Sequence, residues 1–199
     1  MNIIGLTAAF SGFHDSSAVW VKDGKIQLAL SEERFTRVKH DRAFPQHCIN
    51  EIIEKAGVKS FNEFDGIAIA WKPYNPFSGF FSRNLLDIPS TLLYNLAAQP
   101  ANVFNYAWNN FIKFKLFTPI NSLKKYNVAD HKVHFLSHHH CHGASSFRTS
   151  GFDTALSVNL DCFGPDDNGN LWSGGVYECR ENKMNLIEYI PPYASLGLF

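Results

Sequence analysis

Four histidines fall within five residues of one another in the run Ser137-His138-His139-His140-Cys141-His142. Helical spacing would put His138 and His142 on one face a single turn apart. Two imidazoles placed that way can share one metal ion and leave further coordination positions open. A carboxylate from elsewhere would complete a set suited to a hard or borderline metal. Asp161, at the end of the next strand, is placed to aim at the same cleft. His134 is also four residues from His138 and makes a rival pair, but Val133-His134-Phe135 reads as extended, which breaks the helical geometry.

Two other segments carry groups able to do chemistry. The stretch Thr7–Ser17 joins two strands and holds Ser11, Gly12, His14, Asp15, Ser16 and Ser17. Loops at strand ends offer backbone N–H groups and hydroxyls to phosphate, here with Asp15 and Ser16 in reach. His14 can move a proton near neutral pH, and Asp15 can orient it. Without other context the same residues read as a polar turn. The run Ser31–His40 alternates acids with Arg34, Arg37 and Lys39. Those three cations could bind a phosphate or carboxylate. On charge alone, the run reads as a solvated helix start with local ion pairs of little energetic weight.

The elements that must position these groups follow from periodicity. Residues 2–10, NIIGLTAAF, form a buried strand, and 18–22 and 25–30 form two more around the Asp23-Gly24 hairpin turn. Pro45 opens a helix running to about Lys55 and stopping at Gly57, with Ile49, Ile52, Ile53 and Ala56 on its apolar side. Residues 66–71, GIAIAW, are a further strand. The Pro- and aromatic-rich stretch 72–130 reads as an insertion of short helices and loops. Beyond it come a short strand near 132–136, a helix over 137–149 ending at Gly151, and a buried strand over 154–160. The loop CFGPDDNGN follows, and then a hairpin of 171–179 and 185–190 around RENK. The expected organisation is therefore 1–71 as a first half, 72–130 as the insertion, and 131–199 as the metal-binding helix and the start of a second half. An incomplete half would leave an apolar sheet face and an open edge, so a longer protein is expected to continue past Phe199.

Bulk properties exclude several classes. Lys plus Arg and Asp plus Glu number 18 each, which argues against a nucleic-acid binder held by a basic field. Hydrophobic residues make up 45%, enough for a packed core. The four cysteines show no Cys-x-x-Cys pair and no disulfide framework, so a reduced, cytoplasmic setting is expected. The opening residues lack the pattern of a signal peptide, and no apolar run reaches the length of about 18 residues that a membrane helix needs.

Strand–loop–strand–turn–strand openings in two halves resemble the actin/sugar-kinase superfamily, an α/β, ribonuclease H-like fold with a duplicated mixed sheet, its second half incomplete here. More specifically, GLTAAFSGFHDSSAVWVKDGKIQLALSEERFTRVKH and HHHCHGASSFRTSGFDTALSVNLDCFG resemble two blocks of the O-carbamoyltransferase family, which includes nodulation-factor and antibiotic carbamoyltransferases. SLGLF resembles the start of that family's next block. The fold is shared with tRNA threonylcarbamoyl-transferring enzymes, whose metal also sits on a His-x-x-x-His helix.

The resemblance implies that ATP and carbamoyl phosphate yield a carbamoyl-adenylate, whose carbamoyl group passes to a hydroxyl of a sugar or natural product. It implies ferrous iron, Fe(2+), or another divalent metal, on His138, His142 and Asp161, with His14 near the reacting carbamoyl group. It also implies, further along the chain, another metal-binding aspartate, nucleotide-binding loops and a C-terminal domain that makes the carbamoyl-adenylate, so the stretch alone is not expected to catalyse the full reaction. His140 and Cys141 depart from the family's small apolar residues. Two other readings compete. A sugar kinase or ATPase of the same fold would carry a Gly-rich phosphate turn and an acidic base but no histidine helix. A truncated, carbamoyltransferase-derived module would be non-enzymatic and bind a partner.

Overall fold

The computed structural model describes residues 1–7, 15–41, 43–71, 123, 126–168, 170–191 and 194–196. The expected helical insertion over 72–130 therefore lies almost entirely outside the described residues, as does His14. The described chain is mixed α/β and falls into two compact units, one built mainly from residues up to Phe135 and one from Leu136 onward.

The first unit is a five-stranded mixed sheet. Its strands are β1 (Asn2–Thr7), β2 (Ser17–Lys22), β3 (Lys25–Ser31), β4 (Gly66–Ile69) and β5 (Val133–Phe135), in the order β3-β2-β1-β4-β5. β1, β2 and β3 pair antiparallel, whereas β4 lies parallel to β1 and β5 parallel to β4. The β2–β3 hairpin turns at Asp23-Gly24, both with positive φ, as the sequence predicts. Between β3 and β4 come a single helical turn, α1 (Glu33–Thr36), and the helix α2 (Gln46–Ala56). α2 buries Cys48, Ile49 and Ile52, one helical face, against Ile4, Leu6, Ala18, Ile67 and Ile69 of the sheet and Phe61 and Phe64 beside it. Ile53 and Ala56 pack at the edge of this core, half-buried.

One residue of the charged run departs from its expected setting. Glu32 is 1% exposed rather than solvated. α2 begins after Pro45 and has no side-chain cap of its own. Glu32 supplies it from across the fold: Oε1 accepts from the His47 amide at 3.0 Å and from the His47 ring at 2.6 Å, and Oε2 accepts from the Cys48 amide at 3.0 Å. A buried carboxylate is tolerable here because the orphan N–H groups of a helix start are the donors it needs.

The second unit is an antiparallel sheet of β6 (Thr154–Pro165), β7 (Leu171–Arg180) and β8 (Lys183–Ile190), in that order, with the helix α3 (His138–Ser150) on one face. Ser137 caps α3, its Oγ accepting from the His140 amide at 3.5 Å. His139, Gly143 and Phe147 are buried, a spacing of four that lays one stripe of α3 on the sheet. A Cβ at Gly143 would lie 2.9 Å from Met184 Cε and 3.3 Å from Tyr177 Cδ2, so the absent side chain is what lets the helix sit this close. The other face of β6 presents Leu156, Val158 and Leu160, each more than half exposed.

β6 is longer than its sequence suggests. The segment Cys162–Pro165, expected to be loop, continues the strand through a wide irregularity. Leu160 pairs with Gly174 and Gly164 with Trp172, which leaves Asp161, Cys162 and Phe163 opposite the single residue Ser173. Asp161 thus sits in a bulge within the strand, not at its end. Among the described residues no helix is long and apolar enough to cross a membrane.

The Glu32 contacts generate a prediction. Burial raises its carboxyl pKa, but the amides of Cys48 and His47 and the His47 ring outweigh burial and hold it below the ordinary glutamate value. Glu32→Gln should cost about 1–3 kcal/mol in urea unfolding at pH 7, because an amide cannot accept at both positions. A depressed folded-state pKa contributes stability that is fully present above the unfolded value of about 4.3 and is lost as pH falls toward the folded one. The gap between wild type and variant should therefore narrow below about pH 4; a gap that stays constant or widens there would show that the charge contributes nothing.

Candidate metal centre

His138 and His142 occupy the first and fifth positions of α3 and project from the same face. The next helix positions divide differently: His139 is buried against the sheet and His140 is exposed, its ring edge-on to Tyr177 at 5.6 Å. His134 lies exposed in β5 of the first unit, so it has no helical spacing to His138.

The β6 bulge brings Asp161 to the paired imidazoles. Its Oδ2 lies 2.8 Å from His138 Nε2 and 3.4 Å from His142 Nε2, and the two Nε2 atoms are 3.1 Å apart. The second carboxylate oxygen, Oδ1, accepts from the Cys162 amide at 2.6 Å, which fixes the rotation of the group. Protons cannot serve all three contacts. If both Nε2 atoms donate to Asp161, two N–H groups face each other; if one accepts from the other, the carboxylate loses a donor.

A cation satisfies the whole set. With a divalent metal about 2.1 Å from each donor, ligands at right angles lie about 3.0 Å apart and tetrahedral ones about 3.4 Å; the 3.1 and 3.4 Å separations fall in that range, and the 2.8 Å between His138 and Asp161 is slightly shorter. The donor chemistry, two imidazoles and one carboxylate with an open side, suits iron, zinc or manganese. Burial works against ionisation of Asp161, but the hydrogen bonds from His138 and His142, the Cys162 amide and the charge of His138 outweigh it and hold the carboxyl well below the usual range. Asp161 is therefore in its anionic form near neutral pH.

Further residues support this arrangement. His139 donates from Nε2 to the Trp172 carbonyl at 2.7 Å, and burial keeps it toward its neutral form. Asn159 of β6 spans from the His139 carbonyl, 3.0 Å, to the Gly175 amide, 3.1 Å, and so ties α3 to β7. Asp166, buried at 4% exposure, closes the β6–β7 loop. It accepts from the amides of Asn168 and Asn170 at 2.8 and 2.9 Å, the Asn170 side chain at 3.1 Å and Trp172 Nε1 at 3.1 Å. In the sequence this aspartate was one acid in a polar loop. A D-x-N-x-N spacing that folds back on its first side chain was the available signal.

In the first unit the expected phosphate-binding residues are spread out. Asp15, half-exposed, bonds His40 Nδ1 at 2.9 Å. Ser16 is buried, its backbone bonded to Asp41 and Glu32. Arg34, Arg37 and Lys39 are all exposed, Arg34 lying 3.7 Å from Glu33. Asp15, Glu33 and His40 also bring ligand atoms within 4.8 Å of one another; the His40 amide donates to Glu33 at 3.1 Å, and the group reads as a hydrogen-bonded surface turn.

The Asp166 network predicts that Asp166→Ala lowers stability by about 1–3 kcal/mol in urea, since several buried donors lose their acceptor together. Asp166→Asn, which keeps one acceptor oxygen, should recover part of that loss; equal stability of Asp166→Ala and wild type would show the loop closes without it.

Comparison with known proteins identifies the family to which the chain belongs. The chain is 35% identical over 173 residues to the uncharacterized protein sll1178 of Synechocystis sp., a match covering 87% of this chain and 27% of that protein. It is 29% identical over 185 residues to the nodulation protein NolNO of Sinorhizobium fredii, covering 93% and 24% respectively. An uncharacterized 19.2 kDa protein of Rhizobium etli is 38% identical over 58 residues, 29% of this chain and 33% of that protein. The chain thus spans about a quarter of the length of its two longer matches. Residues 2–198 match the family model described as carbamoyltransferase N-terminus, which takes in both sheets, α3 and Asp161, and the chain belongs to that family.

Proposed function

We propose that this chain is the metal-holding part of an O-carbamoyltransferase, which passes a carbamoyl group from carbamoyl-adenylate to a hydroxyl of a sugar or natural product. The observation that carries the reading is the meeting of His138 Nε2, His142 Nε2 and Asp161 Oδ2 within 3.4 Å of one another, in a chain of the carbamoyltransferase N-terminus family. The kinase alternative gives no account of this triad.

ATP and carbamoyl phosphate are the proposed sources of the carbamoyl-adenylate, formed by a C-terminal domain of the same protein. In the transfer, the acceptor oxygen bonds the carbamoyl carbon, the bond from that carbon to the phosphate oxygen breaks, and AMP leaves with the electron pair. His14 is the proposed base for the hydroxyl proton. His138, His142 and Asp161 would hold ferrous iron or another divalent ion, which when bound supplies positive charge to phosphate or carbonyl oxygens. Asp15, Ser16, Arg34, Arg37 and Lys39 are the proposed contacts to phosphate groups. The antiparallel three-strand openings of the two units, β1-β2-β3 and β6-β7-β8, support reading the fold as the duplicated actin/sugar-kinase type. Four cysteines outside any disulfide, Cys48 and Cys179 buried, support a reduced, cytoplasmic setting.

The test uses the longest natural polypeptide carrying this sequence, incubated with ATP, carbamoyl phosphate and a panel of hydroxyl acceptors. AMP release that depends on acceptor is expected, and its absence across sugars and natural-product scaffolds overturns the transfer reading. Elemental analysis of His138→Ala/His142→Ala should show loss of bound metal with an unchanged circular dichroism spectrum. Metal content equal to wild type would place the ion elsewhere.

A further inference from the structure

We infer that Gly164 and Ser195 are positioning residues for the metal-ligand triad: they fix the shape of the β6 bulge and, through it, the approach of Asp161 to His138. The inference rests on the metal-binding reading of that triad. Two independent observations carry it.

The first is steric. A Cβ built on Gly164 would lie 2.2 Å from His138 Cδ2, 2.6 Å from Cγ and 2.7 Å from Cβ. These are atoms at the root of the ring and of the side chain, so no swing of a flexible tip relieves the overlap. The backbone of Gly164 is the floor on which the His138 imidazole rests, and any side chain there moves the ring or the strand.

The second is a pair of buried hydroxyls. Ser195, 2% exposed, donates to the carbonyls of Asp161 at 2.7 Å and Cys162 at 3.1 Å. Ser173, 1% exposed and the single β7 residue opposite the bulge, donates to the same Cys162 carbonyl at 2.9 Å. A bulge pulls its carbonyls out of the ladder, and buried carbonyls need donors. The two serines supply them at the residue that bears the carboxylate and the one after it, whose amide holds Asp161 Oδ1. Ser195 thus acts through the backbone: it holds the peptide from which Asp161 projects, 34 residues away in sequence.

The test titrates the protein with Co2+ alone, following both affinity and the ligand-field absorption, with circular dichroism and urea unfolding as controls of fold. Gly164→Ala should weaken Co2+ binding roughly ten- to a hundredfold and alter the absorption bands. Ser195→Ala should weaken it by roughly tenfold, and Ser195→Thr, which restores a hydroxyl, should recover most of that loss. In the metal-free protein, the ring 15N–1H correlations of His138 should move in Gly164→Ala while those of the exposed His131 stay in place. Wild-type affinity and spectrum in Gly164→Ala, or equal binding by Ser195→Ala and Ser195→Thr, would overturn the inference. A wild type that takes up no Co2+, but whose His138 correlations still move in Gly164→Ala, would keep the positioning and sink the metal reading, so the two failures are distinct.

Discussion

Three polar atoms, two imidazole nitrogens and a carboxylate oxygen, are held within 3.4 Å of one another by two elements that have other reasons to be where they are. Side chains free to choose would separate or add solvent until every donor met an acceptor. Here neither element can yield. α3 is seated through His139, Gly143 and Phe147 on the sheet, so rotating it to part the imidazoles would lift that stripe off its core. β6 is pinned by its pairing with β7 on both sides of the bulge. The packing around these atoms holds them together, and that closeness is what makes the triad a candidate site for a cation.

The same division of labour appears within α3. Positions one apart along the helix point roughly a quarter-turn or more from each other, so four histidines in five residues do different jobs. His139 is structural: buried, neutral, its Nε2 proton committed to the Trp172 carbonyl. That bond reaches the strand whose Trp172 ring stacks on Tyr189 at 5.0 Å and donates to Asp166. His138 and His142 are then aimed by a helix anchored at its buried side. A run that looks redundant in sequence is two candidate ligands, one anchor and one exposed ring.

How much of this the sequence could show depends on whether the information is local. Helical periodicity placed α2 and α3 to within a residue or two, the Asp-Gly turn placed the β2–β3 hairpin, and the spacing of four picked His138 and His142 out of the run, because each signal lies within a few residues. Glu32 stands among charged neighbours, so local pattern alone makes it solvated. Its burial is explained by amides contributed at positions 47 and 48, which no local pattern reveals. β6 was stopped at Leu160 for a related reason. Asp, Gly and Pro in DCFGP are strand breakers by propensity, whereas a bulge with two serine donors supplied from β7 and from Ser195 lets pairing resume at Gly164. The phosphate-binding expectations over 15–39 met a turn in which Ser16 is buried and three cations face outward, so charge in sequence did not translate into convergence among the described residues.

Charge balance connects the site to the proposed chemistry. Two neutral imidazoles and one carboxylate would leave a divalent cation on this triad with one positive charge in excess. A second carboxylate would cancel it, whereas a third neutral histidine would leave it unchanged. The first turn of α3 adds to it, since a helix start carries partial positive charge and His138 is the first residue of that turn. Burial opposes ionisation of Asp161, but the contacts from His138, His142 and the Cys162 amide hold its carboxyl ionised well below the usual range, so the charge of this group stays fixed near neutral pH.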